Sequence, residues 1–132
     1  VAVPRIVDDR SGLEIIPPDE CLTLLASAQV GRLAFSLGGA IDLLPVNYAL
    51  LGRDVVIRTA AGAKWRDGPG ASAAFEVDEL QPDLRTGWSV VVHGRLEPFE
   101  GEAPDGLQPW APSEKPYMLR LVSDTITGRR IA

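Results

Sequence analysis

From Val30 onward, apolar residues recur at every second position, and the runs that do so are cut at short intervals by glycine and proline. A period of two places side chains on alternate faces of an extended strand, whereas a helix would repeat at 3.6. Many short strands joined by turn residues define a narrow set of folds, of which a small antiparallel barrel is the simplest. Gly31, Leu33, Phe35 and Leu37 alternate with Arg32, Ala34 and Ser36 in the first strand, and Gly38-Gly39 signals a hairpin. Residues 41 to 51 form the returning strand. It is apolar on both faces, which places it centrally or at an interface, and Pro45 within it requires a bulge or an open edge. Gly52-Arg53-Asp54 turns the chain into a third strand over residues 55 to 59.

Residues 60 to 66 read as a short helical turn, ended by Gly68-Pro69-Gly70. A fourth strand over residues 71 to 77 carries Ala73, Phe75 and Val77 on one face, with Glu76 and Asp78 on the other. Residues 79 to 85 read as a loop. Residues 86 to 99 read as the longest strand, with Trp88, Val90, Val92, Gly94 and Leu96 on its apolar face and His93, Arg95 and Glu97 opposite. A loop over residues 100 to 115 leads to a last strand over residues 117 to 126, with Leu119 and Leu121 inward and a polar tail after it.

Ahead of the strands, residues 1 to 16 read as an irregular lead-in. Pro17-Pro18-Asp19-Glu20 then starts a helix over residues 18 to 28, since proline suits a first turn and acids favour the positive end of the helix dipole. Leu22, Leu25 and Ala28 recur at helical spacing. The expectation is a single mainly β domain over residues 1 to 132, a six-stranded antiparallel barrel with an N-terminal helix.

The net charge of −5 argues against nucleic-acid binding, which depends on neutralising phosphates with lysine and arginine. It argues equally against a polybasic membrane surface, and no apolar run approaches the length of a membrane span. Cys21 is the single cysteine, which excludes an internal disulfide and a cysteine-based metal site and suits a cytoplasmic setting. His93 is the single histidine, and its neighbours Arg95 and Glu97 mark a surface or interface position. No carboxylates stand at metal-ligand spacing around it.

Against this acidic background one stretch is locally basic. The third strand ends in Arg58 and Thr59, and Lys64 follows after a turn of small residues. A planar guanidinium, a hydroxyl and an ammonium together suit a phosphate, although spacing alone also describes an ordinary charged strand end. Asn47 and Tyr48 are polar residues within an apolar strand, and a buried polar group needs a partner. Trp88 and Ser89 point to opposite sides of their strand. Glu76 and Asp78 resemble paired carboxylates for acid–base work, and a solvated strand face explains them as well. Trp110 covers a pocket or docks on the barrel, and Arg129-Arg130 either binds phosphate or forms a charged terminus.

The ordered set Val30-Gly31-Arg32-Leu33-Ala34-Phe35, Pro45-Val46-Asn47-Tyr48, Ile57-Arg58-Thr59 with Lys64, Ala74-Phe75-Glu76-Val77-Asp78, Gly87-Trp88-Ser89-Val90 and Gly128-Arg129-Arg130-Ile131 resembles the pyridoxamine 5′-phosphate oxidase-like FMN-binding split-barrel family, in particular a branch common in actinobacteria. The resemblance implies a homodimeric split barrel with two flavin sites at the dimer interface. It implies that Arg58, Thr59 and Lys64 hold the FMN phosphate. Pro45, Val46, Asn47 and Tyr48 would line the flavin ring through backbone or side chains, and Trp88 and Ser89 would reach the partner's flavin. It further implies a flavin-dependent oxidoreductase, with a deazaflavin as the alternative cofactor. A non-catalytic flavin module, or a structural dimer that has lost the cofactor, is the alternative role. True pyridoxamine phosphate oxidases carry an Arg-x-His signature near the C-terminus; here Gly128-Arg129-Arg130-Ile131-Ala132 contains no histidine, so the vitamin substrate is not implied.

Overall fold

The computed structural model describes residues 6–7, 12–59, 70–107 and 117–131. Its elements run β1 (Ile6–Val7), β2 (Glu14–Ile15), α1 (Pro18–Ala26), β3 (Val30–Leu37), β4 (Ala40–Leu51), β5 (Asp54–Thr59), β6 (Ser72–Gln81), β7 (Thr86–Pro98) and β8 (Tyr117–Ile131). The six long strands are antiparallel in the order β8-β5-β4-β3-β6-β7, and pairing of β7 with β8 closes them into a barrel. Among the described residues, no helix is long and apolar enough to cross a membrane.

The alternating residues fill the barrel as their period requires. Leu33, Phe35, Tyr48, Val55, Ile57, Phe75, Val77, Val90, Val92, Leu96, Leu119 and Leu121 are buried in one cluster. Gly38 and Gly39, both with positive φ, form the two-residue β3–β4 turn between paired Leu37 and Ala40. Pro45 sits where β4 is bonded to β3 alone: it faces Arg32, and the ladder to β5 begins only at Tyr48. The missing donor is thus accommodated at an open edge rather than a bulge.

Four readings need correction. The lead-in is not wholly irregular, because β1 pairs with β2 and β2 pairs with the end of β8. The tail is strand as far as Ile131, which makes β8 rather than β7 the longest strand. The fourth strand runs on through Glu79 to Gln81, well into the expected loop. In each case backbone pairing continues after the apolar alternation has stopped. The helix ends at Ala26, two residues early, since the N–H and hydroxyl of Ser27 both turn back to the Leu24 carbonyl. The expected helical turn over residues 60 to 66, Lys64 and Trp110 lie outside the described residues, as does the side chain of Thr59.

α1 plugs one end of the barrel through Cys21 and Leu25, both fully buried and one helical turn apart. Its approach to β8 depends on Gly128, where a Cβ would lie 2.7 Å from Cys21 Sγ. The N–H of Ile16 donates to the Gly128 carbonyl at 3.0 Å and locks the same contact. Burial, then the Glu20 charge, raises the Cys21 thiol above its ordinary range, so it packs as a small apolar group.

Candidate functional site

Val46 and Tyr48 point into the barrel and are buried, so only their backbone is open to a ligand. The Tyr48 hydroxyl donates to the Leu25 carbonyl, and its ring meets the Phe75 edge with centroids 4.7 Å apart. Burial pushes the phenol up to about 12. Tyr48 therefore fastens α1 to the barrel. Tyr48→Phe should destabilise the protein by about 1 kcal/mol, the net value of one such bond, in a urea titration.

Pro45 and Asn47 point outward. Asn47 Nδ2 donates to the Gln29 carbonyl at 3.4 Å, and the Tyr48 N–H bonds the same oxygen at 3.2 Å. The β4–β5 ladder stops at Tyr48 and Ile57. One step further in that register sets Asn47 opposite Arg58, both on the outer face, at the point where the two strands part. Arg58 is half-buried with its Nε enclosed, and it pairs across β8 with Met118. Pro45, Asn47 and Arg58 thus all lie on the outer face, on the two strands just beyond the end of their shared ladder.

Trp88 and Ser89 lie elsewhere. Two strands, β3 and β6, intervene between β4 and β7. At about 4.8 Å per strand the separation is roughly 14 Å around the outside of the barrel. Ser89 faces outward between Asp78 and Arg129 and lines an apolar hollow of about 110 Å³ with Leu80 and Leu13. Trp88 takes the inward face between Glu79 and Arg130, at the barrel mouth. No single chain joins the β4–β5 group to the β7 pair.

On the outer face, Arg32 bridges Glu76 at 3.1 Å and Asp78 at 3.6 Å. Burial, reinforced by the Asp78 carboxylate, raises the Glu76 acid above its ordinary 4.5, with Arg32 opposing. A carboxyl raised in the folded state binds more protons there than in the unfolded chain. Its stabilisation is full below the unfolded value and is lost as pH rises through the folded one. Glu76→Gln should therefore flatten the decline of stability with rising pH just above 4.5, seen as the wild-type-minus-variant difference in urea midpoints. His93 is exposed beside the register shift of β7.

Sequence reasoning missed the ion pair between Arg130 and Glu20, which ties the end of β8 to α1. It also missed the cleft beside that pair, lined by Glu79, Gln81, Thr86 and Trp88. Both depend on strand register over almost the full chain, for which no local signal exists.

A closed six-stranded antiparallel barrel with one helix at its end, in which β4 and β5 part beyond a short ladder, defines a split-barrel protein. The family model described as pyridoxamine 5′-phosphate oxidase matches residues 17–130, and the chain belongs to that family. An uncharacterized Mycobacterium tuberculosis protein, Rv0080, is 33% identical, with 96% of this chain and 92% of that protein covered. A Corynebacterium glutamicum structure named for pyridoxamine 5′-phosphate oxidase is 30% identical at TM-score 0.76, covering 91% of this chain and 98% of its own. The structure of an FAD-binding protein from Mycobacterium smegmatis is 28% identical at TM-score 0.73, covering 91% and 99%.

Proposed function

We propose that this protein is a flavin-nucleotide-binding homodimer of the split-barrel type that works as an FMN-dependent oxidoreductase. The observation that carries this reading is the end of the β4–β5 ladder at Tyr48 and Ile57, which leaves Asn47 and Arg58 as the next, outward-facing residues of the two parting strands. A half-buried arginine at the end of a strand fits a phosphate. Arg58, Thr59 and Lys64 would hold that phosphate. Pro45, Asn47 and the backbone of Val46 and Tyr48 would line the ring.

What the single chain leaves apart and exposed supports the dimer reading. Ser89 of a second copy can complete a site that β4 and β5 begin. The arm formed by the β3–β4 hairpin carries Ile41 at 78%, Leu43 at 66% and Leu44 at 38% exposure, an apolar surface suited to a partner. The flavin when bound supplies hydride chemistry at its N5 position. The chain's own residues grip the phosphate, orient the ring and exclude water from it.

FAD contains the same phosphate and ring and is the second reading, favoured by the FAD-binding relative from M. smegmatis. An absorbance and mass spectrum of the purified protein tests both. A yellow protein releasing the FMN mass is expected; the FAD mass supports the second reading, and a deazaflavin mass overturns both. A colourless protein that fails to retain added flavin overturns flavin binding altogether. NAD(P)H turnover by the loaded dimer then separates an enzyme from a carrier.

A further inference from the structure

The inward face of β6, β7 and β8 does not end at the barrel core. Val77 and Gly128 flank Val90, and one step nearer the mouth Glu79 and Arg130 flank Trp88. Gln81 and Thr86 pair one step beyond. Glu79, Gln81, Thr86, Trp88 and Arg130 line a cleft of about 250 Å³. Its floor is a half-buried indole that also packs on the core. Its rim offers a carboxylate on one side, a guanidinium on the other, and an amide and a hydroxyl at the open end.

We infer that this cleft binds the amino-bearing base of an adenine nucleotide, stacked on Trp88. A flat aromatic floor recognises a planar ring sequence-tolerantly, and every nucleobase presents a π-face. A carboxylate accepts from an exocyclic amino group, and Gln81 can both donate and accept, which suits an edge of alternating polarity. Arg130, across the ring from Glu79, stands where a 5′-phosphate would leave the base. Its present partner is Glu20, so a phosphate there competes with the clasp between β8 and α1. The site is built by one chain and uses neither Arg58 nor any residue of β4 and β5. It takes either a free nucleotide or the adenylate half of a dinucleotide.

Calorimetric titration of the full-length protein with adenosine 5′-monophosphate tests the site. Binding is expected, with Trp88→Ala weakening it about tenfold or more and Trp88→Phe retaining most of it. Because Trp88 touches the core, Glu79→Ala serves as a second variant at an exposed position and should weaken binding about tenfold. Absence of binding, or equal affinity in folded Glu79→Ala and Trp88→Ala proteins, overturns the inference. So does a nucleotide that saturating FMN displaces and Trp88→Ala does not affect, since that nucleotide would occupy the phosphate grip. Competition by FAD but not FMN supports the dinucleotide source, and competition by neither supports the free nucleotide. Failure of FMN to bind at all leaves this titration readable, so the two proposals fail separately.

Discussion

Replacing Arg58 and Lys64 together with alanine should lower FMN affinity by about a hundredfold to ten-thousandfold. A hydrogen bond to a charged group contributes about 1.5–3 kcal/mol, and each 1.4 kcal/mol is about tenfold in affinity. In the proposed grip both side chains share one phosphate, so the double variant rather than the sum of two single ones is the decisive measurement. The enclosure of Arg58 Nε raises its contribution, because a charge-assisted bond gains strength as water is excluded. Fluorescence titration of FMN against the folded double variant reads the loss directly. Unchanged affinity would remove the proposed grip and leave the fold intact. Loss with Arg58→Ala alone and none with Lys64→Ala would confine the grip to the strand end.

The second large effect concerns the fold. Gly94→Ala should destabilise the protein by about 3 kcal/mol or more, the upper range for overpacking. A Cβ at Gly94 would lie 1.9 Å from the Val122 carbonyl oxygen and 2.8 Å from its carbon. Both are backbone atoms, so no side chain can rotate away. The site sits at the register shift after His93, where β7 and β8 must approach closely for the barrel to close. Domain stabilities are typically about 5–15 kcal/mol, so the loss would consume much of the total. Gly101→Ala is the internal control. The three atoms nearest its Cβ all belong to the Phe99 ring, which can turn aside, and the position is exposed, so a change within about 0.5 kcal/mol is expected. Urea midpoints for both variants decide the matter, and equal midpoints would reject the steric account.

Much of the barrel was legible because its strands alternate apolar and polar residues, and Gly38-Gly39 marked a hairpin that the structure contains. Legibility failed where pairing outlasts alternation. Glu79 and Gln81 are polar and precede a proline, yet their backbones pair with Trp88 and Thr86. The tail after Ile126 is polar as well, yet it joins β7 on one side and β2 on the other. For the candidate site, residue types were legible and neighbours were not. Arg58 stood out as a cation after an apolar run, but its position beside Asn47 follows from a ladder register that the residues alone do not encode. Trp88 and Ser89 were correctly placed on opposite faces, because that needs only the two-residue period. The clasp between Glu20 and Arg130 was invisible, since it joins the first helix to the last strand.

That last strand carries a consequence for biosynthesis. β8 closes the barrel against both β5 and β7, receives β2 on its far end, and holds α1 through Gly128 and Arg130. Its partners are spread from the beginning of the chain to its last third. While a ribosome is still adding these residues, β5 and β7 each have an unpaired border and α1 lacks its seat on β8. Such a topology, dominated by pairings distant in sequence, folds slowly and only once β8 has emerged. A ribosome stalled short of Gly128 would present a sheet with two raw edges, a substrate for holdase chaperones rather than a partly finished barrel.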